Sequence, residues 1–421
     1  ILKKNSNKCD QMLQHWLFIL FIFLIPVRRE YPNTEIIMNT RIHLTNAFTD
    51  ITLLSLNAHN AFAGVTEKSR YSSNTPASHN HGAHDHSSHH SSAHTSAHSG
   101  AAAPIGVMGD HMHGAGEWMF SLRQIKMEMS GNKIGSNNAS DTEILSIANT
   151  NAIMPPNLRV VPQHMEMDMT MLGVMYAPNA DLTFMAMTGY VQKTMRLTTY
   201  NMMGMRIGNF ETESEGFGDT TISALFRGQM TATSQIHYAL GLSVPTGDIE
   251  EQDTVLTPMN TRIAARLPYA MQTGSGSYDF KPAITFNKHF ENYSFGGQIS
   301  AVVRLNDNES DYRLGDIFTV QSWISKSISP TVSASLRLKG TSEEKIDGRD
   351  TLIDKPIQSA DPNFYGGQRL NLGIGLNLAP KSGPLAQKRV DFELVGPIYE
   401  KLNGPQMSQD WSLIIGFKTG F

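Results

Sequence analysis

Apolar and polar side chains alternate along most of the chain from Trp118 to the last residue. Such a period of two indicates strands with one apolar face, because successive side chains of a strand point to opposite sides. Between Leu370 and Leu378, for example, every second residue is leucine or isoleucine. Runs of about ten residues with this pattern predict twelve strands, at residues 118–129, 164–177, 181–192, 217–228, 234–245, 278–288, 293–306, 315–327, 331–341, 367–379, 388–397 and 409–421.

The segments between these runs differ in length in an ordered way. If the strands form an outer-membrane barrel with both ends on the periplasmic side, the first connection should be long and the second short. Residues 130–163 and 178–180 fit this order. Outer-membrane barrels combine short periplasmic turns with longer external loops, whereas a soluble sandwich has no reason to sort its loops in this way. We therefore predict an all-β fold, a transmembrane antiparallel β-barrel of about 12 strands, over residues 111–421.

The C-terminal segment WSLIIGFKTGF has the character of a final barrel strand. Trp411, Leu413, Ile415 and Phe417 occupy alternate positions, and aromatic residues lie near both ends of the run. Interfacial aromatic girdles around an outward apolar stripe give this arrangement. We expect a location in the outer membrane of a Gram-negative bacterium, with outer-membrane lipids and the barrel-assembly machinery as partners.

The N-terminal part divides into a leader and a tether. Residues 12–27 form an apolar run that is short for a spanning helix and suits a signal-peptide core. Met38 begins a second plausible leader that ends at an A-x-A site, Ala61 to Ala63. We predict a leader over residues 1–63, with translation starting either upstream or at Met38, and a disordered His-, Ser- and Ala-rich tether over residues 64–110.

Composition excludes some classes of protein. Charged residues make up 17% of the chain and the formal net charge is −4, so no basic face for nucleic acid is indicated. The single cysteine, Cys9, lies in the predicted leader, which leaves the mature chain without a disulfide.

The tether is also a candidate metal-binding segment. Closely spaced imidazoles on a flexible chain can bind Cu(II), Zn(II) or Ni(II), although a His-rich solvated linker explains the same composition. We expect no cofactor apart from copper or zinc held loosely there. The candidate ligands are His79, His81, His84, His86, His89, His90, His94, His98, His111 and His113.

A methionine ladder in the segment QHMEMDMTML has two explanations. Met165, Met167, Met169 and Met171 alternate with His164, Glu166, Asp168 and Thr170. Thioethers beside carboxylates and imidazole can bind copper or silver. The simpler explanation is a barrel strand whose methionines face lipid and whose polar residues face the lumen, and a lipid-facing row cannot recruit aqueous ions.

The same alternation assigns a set of polar residues to the lumen. Their charges are of both signs, which favours small polar or amphipathic solutes over one charge class. The predicted lumen-lining residues are Arg123, Glu166, Asp168, His237, Lys281, Arg304, Arg337, Lys339, Asp391 and Glu393, with Gln298, Gln321 and Lys418 on the same wall.

Four segments together resemble a known family. They are HMHGAGEWMFSLR (111–123), the Met-alternating strand, EGFGDT (215–220) and GLSVPTGD (241–248), of which the last is the most distinctive. They resemble the outer-membrane transporter family named for the meta-pathway of phenol degradation. The resemblance covers roughly residues 111–421 and implies a β-barrel that passes small molecules across the outer membrane.

The predicted function is that of a channel or transporter for passive passage of small solutes, aromatic or amphipathic ones among them. One alternative is a metal-handling envelope protein in which the His-rich tether and a Met-rich loop (201–206) bind copper, silver or zinc. A minor alternative is an outer-membrane lipase, which needs a serine activated by a nearby histidine. No G-x-S-x-G elbow is present, so we do not expect an enzyme.

Overall fold

The computed structural model describes residues 102–150, 154–380, 382, 386 and 388–421, and they form a closed antiparallel β-barrel. The strands of this part of the chain are β1 (Trp118–Gly135), β2 (Asn137–Ala139), β3 (Val160–Asn179), β4 (Leu182–Tyr200), β5 (Arg206–Phe217), β6 (Thr220–Met230), β7 (Ser234–Val244), β8 (Gln252–Leu256), β9 (Arg262–Arg266), β10 (Asp279–His289), β11 (Tyr293–Arg304), β12 (Tyr312–Arg313), β13 (Ile317–Ser329), β14 (Val332–Glu343), β15 (Asp347–Gly348), β16 (Gly367–Leu378) and β17 (Lys388–Gly420).

The wall closes because the last strand pairs with the first. The order around the barrel is β1, β3, β4, β6, β7, β10, β11, β13, β14, β16 and β17. β5 and β6 share one place in this order, because β5 pairs with residues 190–200 of β4 and β6 pairs with residues 182–187. In β17, residues 390–402 pair with β16, and residues 402–420 pair with β1. Leu402 thus lies at one end of the barrel, and both ends of β17 lie at the other, so this strand reverses direction. Within the described residues, twelve strand segments therefore run along the barrel wall, and this even number puts the start of β1 and the end of β17 at the same end of the barrel.

The predicted all-β barrel of about 12 strands is confirmed, and eight of the connections sort by length, four short and four long. Turns of two or three residues join β3 to β4, β6 to β7, β10 to β11 and β13 to β14. At the opposite end, long connections carry the short hairpin β8–β9, the pair β12–β15 and three 3₁₀ turns at Tyr269–Met271, Gln358–Ala360 and Pro362–Phe364. We call these the turn end and the loop end.

One short helix, α1 (Asp141–Leu145), lies in the first loop. It begins at Ser140, whose side chain accepts a hydrogen bond from Glu143 N, while Glu143 bonds back to the Ser140 backbone. This capping box satisfies helix N–H groups that have no partner within the helix. Within the described ranges, no helix is both long and apolar enough to span a bilayer.

The outer surface changes character along the strands. Near the turn end it is apolar: Trp118, Phe120 and Leu122 of β1 are 40%, 44% and 45% exposed. Toward the loop end the same face of β1 carries Gln124 and Lys126. At roughly 3.3 Å per residue, the 20 residues of β3 exceed the apolar band of about 25 Å found on membrane barrels, so these strands extend beyond it.

Candidate functional site: the barrel interior

The barrel interior holds the N-terminal part of the described chain. Residues 102–113, here called the inner segment, precede β1 and bond to side chains of the wall. Ala102 O accepts from Ser325 Oγ at 2.7 Å, Met108 O accepts from Gln298 Nε2 at 2.9 Å, and Asp110 O accepts from Asn287 Nδ2 at 2.7 Å. These partners lie on β13, β11 and β10, so the segment runs across the lumen. The sequence assigned residues 64–110 to a disordered tether. Residues 102–110 instead have defined contacts, and residues 64–101 lie outside the described part.

Apolar residues of the inner segment also explain its position. Ile105 and Val107 are fully buried. Ile105 packs against Val395 and Ile414, and Val107 packs with Trp323. Removing these side chains from water is favourable by roughly 1.5–3 kcal/mol each. The segment is therefore held by burial as well as by hydrogen bonds.

A network of polar contacts on the inner wall binds the inner segment at Gly106. Glu393 Oε2 accepts a hydrogen bond from Gly106 N at 2.7 Å, and Glu393 Oε1 accepts from Arg337 Nε at 2.7 Å. Arg337 Nη1 also donates to Gln321 Oε1 at 3.0 Å, and Gln321 Nε2 donates to Gln298 Oε1 at 2.7 Å. Because Gln298 bonds to Met108 O, one continuous network joins four wall strands to two points of the inner segment.

A second charged group lies around Asp110. Lys418 Nζ is 3.9 Å from Asp110 Oδ1 and 3.9 Å from Asp391 Oδ2. Arg389 Nε donates to Asp391 Oδ1 at 2.5 Å, and its Nη2 donates to Ala103 O at 2.8 Å. Buried charges are tolerated where they are paired, and here both signs are present. The group fixes both ends of the inner segment.

Most of the predicted lumen residues lie on the inner face. Strand pairing puts them on the same side as buried His237, whose Nε2 contacts Gly109 O at 2.8 Å. Lys281 Nζ donates to Thr221 Oγ1 at 3.0 Å, and Arg304 pairs with Asp279 at 2.5 Å. The inner-facing members are Arg123, His237, Lys281, Arg304, Arg337, Lys339, Asp391 and Glu393, together with Gln298, Gln321 and Lys418. Whether they select solutes stays a prediction.

Glu166 and Asp168 are the exceptions, and their assignment to the lumen was wrong. They pair with Glu128 and Lys126 on the face of β1 that carries exposed Phe120 and Leu122. Lys126 Nζ lies 3.4 Å from Glu166 Oε2 on that outer face. The physical reason is the length of β3: this half extends past the apolar band, so its outer face meets water and carries charge.

The methionine ladder lies inside the barrel, opposite to the prediction that it faces lipid. Met165, Met167, Met169 and Met171 pair with residues on the face of β1 that contains buried Arg123. A Cβ added at inner-facing Gly189 would meet Met169 and Met171 at 3.4 Å, so the ladder covers this glycine. From here on, we call this ladder of Met165, Met167, Met169 and Met171 the methionine stripe.

The loop end carries an apolar cluster that is continuous with the methionine stripe. Met165 and Met195 pair across β3 and β4 and belong to one core with Leu197, Phe210 and Leu256. The core surrounds a small cavity of about 40 Å³. Residues of β3, β4, β5, the β8–β9 hairpin and the last long loop line it. The apolar residues of the long loops were the sequence signal that could have predicted this core.

Three tyrosines pack beside this cavity. The ring centroids of Tyr269 and Tyr312 are 4.7 Å apart, and those of Tyr269 and Tyr365 are 5.8 Å apart. The Tyr269 hydroxyl accepts a hydrogen bond from Asp350 N at 3.1 Å. Burial raises the pKa of Tyr269 to about 12, so the hydroxyl is neutral at physiological pH. The loops thus form a packed layer over one side of the mouth.

The predicted metal ligands fall into two groups. The eight histidines from His79 to His98 lie outside the described residues. His111 Nδ1 lies 3.0 Å from Asp110 Oδ1, and His113 Nδ1 lies 3.5 Å from Glu117 Oε2. Across the described residues, no three or more histidine, cysteine, aspartate or glutamate side chains are arranged to hold a metal ion. Metal binding by these histidines stays a prediction.

Comparison with known protein families identifies the family of this chain. The family described as "Putative MetA-pathway of phenol degradation" matches residues 159–384, more than half of the chain. The chain belongs to this family. The family match covers β3 to β16 and leaves the inner segment and β1 outside its bounds. No curated protein matches the chain.

Several solved structures are similar to this chain at low sequence identity. An outer membrane channel from Pseudomonas putida F1 is 13% identical, covers 74% of this chain and 98% of its own, and has a TM-score of 0.50. The β domain of the Bordetella autotransporter BrkA is 10% identical over 73% of this chain and all of its own, with a TM-score of 0.39. The toluene transporter TodX from Pseudomonas putida is 9% identical over 72% and 89%, with a TM-score of 0.37. At 13% identity, the likeness to the outer membrane channel concerns the fold alone.

Proposed function

We propose that this chain is an outer-membrane β-barrel channel through which small solutes diffuse. The observation that carries the proposal is the closed wall, apolar outside near the turn end and polar inside. Such an exterior is stable only when apolar groups cover it, and a lipid bilayer supplies them. An enzymatic role finds less support, because Nε2 of inner-facing His237 is occupied by the Gly109 carbonyl.

The apolar band supports an outer-membrane location. Around the barrel the band includes exposed Phe184, Leu240, Ile299, Ile374 and Leu394. Barrel strands span a bilayer because every backbone group pairs with a neighbour and no edge stays open. A barrel of this kind would reach the outer membrane of a Gram-negative bacterium through its barrel-assembly machinery.

The solute class that suits the interior is aromatic or amphipathic. The apolar core at the loop end includes Met165, the first residue of the methionine stripe, and the stripe continues along the inner wall toward Met175. Thioethers make favourable contacts with aromatic rings, and methionine adapts its shape to different solutes. On the polar inner wall, half-buried cations such as Lys339 would pair with hydroxyl or carboxylate groups. A solute with one apolar and one polar side fits both.

The inner segment acts as the gate in this proposal. It crosses the lumen at Gly106, Met108 and Asp110, so a solute passes only beside it or after it has moved. Its hold on the wall combines the burial of Ile105 and Val107 with individual hydrogen bonds, each with a net contribution of about 0.5–1.5 kcal/mol, and these contacts can be released stepwise.

Liposome swelling and planar-bilayer conductance test the proposal. The full chain and a variant lacking residues 102–113 are reconstituted, and phenol, benzoate, a hexose and glycine are offered as solutes. We expect flux with the full chain, with the aromatic solutes fastest relative to their size, and higher flux for every solute after the deletion. Absence of flux with both proteins, while each shows the heat-modifiable mobility of a folded barrel, would contradict a channel.

A further inference from the structure

A cluster of methionines joins the inner segment to the wall close to the turn end. Met119, Met175 and Met185 are buried together with Leu225, and Met112 and Met187 pack against them. Met112 belongs to the inner segment, and the others lie on β1, β3 and β4. We call Met112, Met119, Met175, Met185 and Met187 the methionine cluster.

Five thioethers in one contact cluster are more than packing requires. Leucine fills an equivalent volume and has fewer rotamers, and methionine in a core serves mainly to fill gaps. The interior of a membrane barrel is moreover commonly polar, whereas this site concentrates a soft, weakly polar donor. Thioether sulfur prefers soft monovalent ions such as Cu(I) and Ag(I).

Two buried imidazole nitrogens near the methionine cluster have a free lone pair. His237 Nε2 donates to the Gly109 carbonyl, so its Nδ1 carries no proton in the neutral ring. His113 Nδ1 faces the Glu117 carboxylate at 3.5 Å, which favours the proton on Nδ1 and leaves Nε2 as a lone-pair donor. His237 and His113 are 0% and 3% exposed, and neither His237 Nδ1 nor His113 Nε2 has a hydrogen-bond partner among the described residues.

Backbone contacts place both histidines beside the methionine cluster. His113 follows Met112 directly, and its N–H donates to Thr183 Oγ1 at 3.2 Å, two residues before Met185 on β4. A Cβ built on Gly109, the partner of His237, would lie 3.9 Å from the Met185 methyl carbon. On β7, the next inner-facing residue after His237 is Ala239, which packs against the methionine cluster.

We propose that the methionine cluster, with His113 and His237, binds one soft monovalent metal ion, Cu(I) or Ag(I), between the inner segment and the wall. Such a site explains the buried imidazole lone pairs, which are costly when they have no partner. Bound metal would link Met112 and His113 to the wall and so hold the inner segment in the lumen. This site is separate from the His-rich tether and does not depend on the identity of the organic solute.

The test compares matched methionine variants of the purified full chain in detergent. Ag(I) is used because it needs no reductant, and metal retained after gel filtration is measured by mass spectrometry. One variant combines Met119→Leu, Met175→Leu, Met185→Leu and Met187→Leu, which keeps side-chain volume and removes sulfur. The control combines Met202→Leu, Met203→Leu and Met205→Leu in an exposed loop.

The wild type and the loop control should each retain roughly one Ag(I) more per chain than the cluster variant. Equal retention by all three proteins would overturn the proposal. If the fourfold variant does not fold, Met112→Leu on the inner segment should lower Ag(I) retention without changing the wall. X-ray absorption of the Cu(I)-loaded wild type gives an independent outcome: sulfur neighbours support the site, and a shell of nitrogen and oxygen alone refutes it.

Discussion

Arg337 Nε donates to Glu393 Oε1 at 2.7 Å, and the two side chains are 4% and 0% exposed inside the barrel. The other carboxylate oxygen of Glu393 accepts the Gly106 N–H, so one ion pair joins β14, β17 and the inner segment. Glu393→Gln would remove the charge that faces Arg337 and replace one of the two acceptor oxygens by an NH2 group, so Arg337 Nε or Gly106 N would lose its acceptor. Removing one partner of a buried pair costs about 3–5 kcal/mol. We expect faster amide hydrogen exchange across residues 102–113 and a higher single-channel conductance.

The control for this variant is Leu394→Ile, whose side chain points outward next to Glu393. It should leave both the exchange rates and the conductance unchanged. The double variant Arg337→Gln with Glu393→Gln should lose less stability than the two single variants added together, because no unpaired charge is left behind. Exchange rates in Glu393→Gln that equal those of the wild type would show that this pair does not hold the inner segment.

The observed orientation of β3, with its methionines toward the lumen, predicts a pattern of cysteine labelling. In a Cys9→Ser background, Asp168→Cys should react rapidly with a bulky maleimide, because Asp168 lies on the outer face beyond the apolar band. Met167→Cys should react slowly with the same reagent, since its side chain points into the lumen. The extent of labelling is read from a gel shift, with unfolded protein as the reference for full reaction. The opposite order of rates would restore the lipid-facing assignment of the methionines.

The barrel wall could be predicted because two features are visible in the sequence: the alternation of apolar and polar residues along each strand, and the order of short and long connections. The register of β3 was not, because Met165 to Met171 and His164 to Thr170 alternate equally well with either face inward. The rule that the apolar side faces lipid holds only within the apolar band, and this half of β3 lies beyond it. Only pairing with Phe120 and Leu122 on β1 decides the question.

The inner segment was missed for a different reason. Residues 64–110 were interpreted as one disordered tether, yet Ile105 and Val107 within it are fully buried. Apolar residues at the end of a polar segment were a usable signal. Its partners Ser325, Arg389 and Glu393 lie more than two hundred residues further along the chain, and no local pattern pairs them with it. Eight of the ten residues predicted to line the lumen do face the interior, and the sequence did not indicate that the inner segment would occupy the lumen beside them.

The tyrosines at the loop end predict a loss of stability at high pH. Burial raises the pKa of Tyr269 to about 12, and burial also raises the pKa of Tyr312. The folded state therefore favours the neutral phenol: its stabilising effect is complete below the unfolded pKa of about 10 and is lost as pH rises through about 12. Thermal unfolding of the loop layer, followed by tyrosine absorbance, should shift to lower temperature across this range. Tyr269→Phe should reduce the shift, and Tyr278→Phe, at an exposed site, should not.

The outer apolar band predicts where a charge is tolerated. Leu240 on β7 is 49% exposed on the apolar outer face, so Leu240→Arg would place a cation in lipid and should destabilise the barrel by about 2–4 kcal/mol if it lies near the bilayer midplane. Asp168→Arg, on the outer face beyond the band, should cost less than about 1 kcal/mol because the side chain meets water or headgroups. Urea unfolding in phospholipid vesicles measures both changes. Equal costs at the two positions would mean that the bilayer does not sit at the turn-end half of the strands, and the proposed membrane orientation of the barrel would fail.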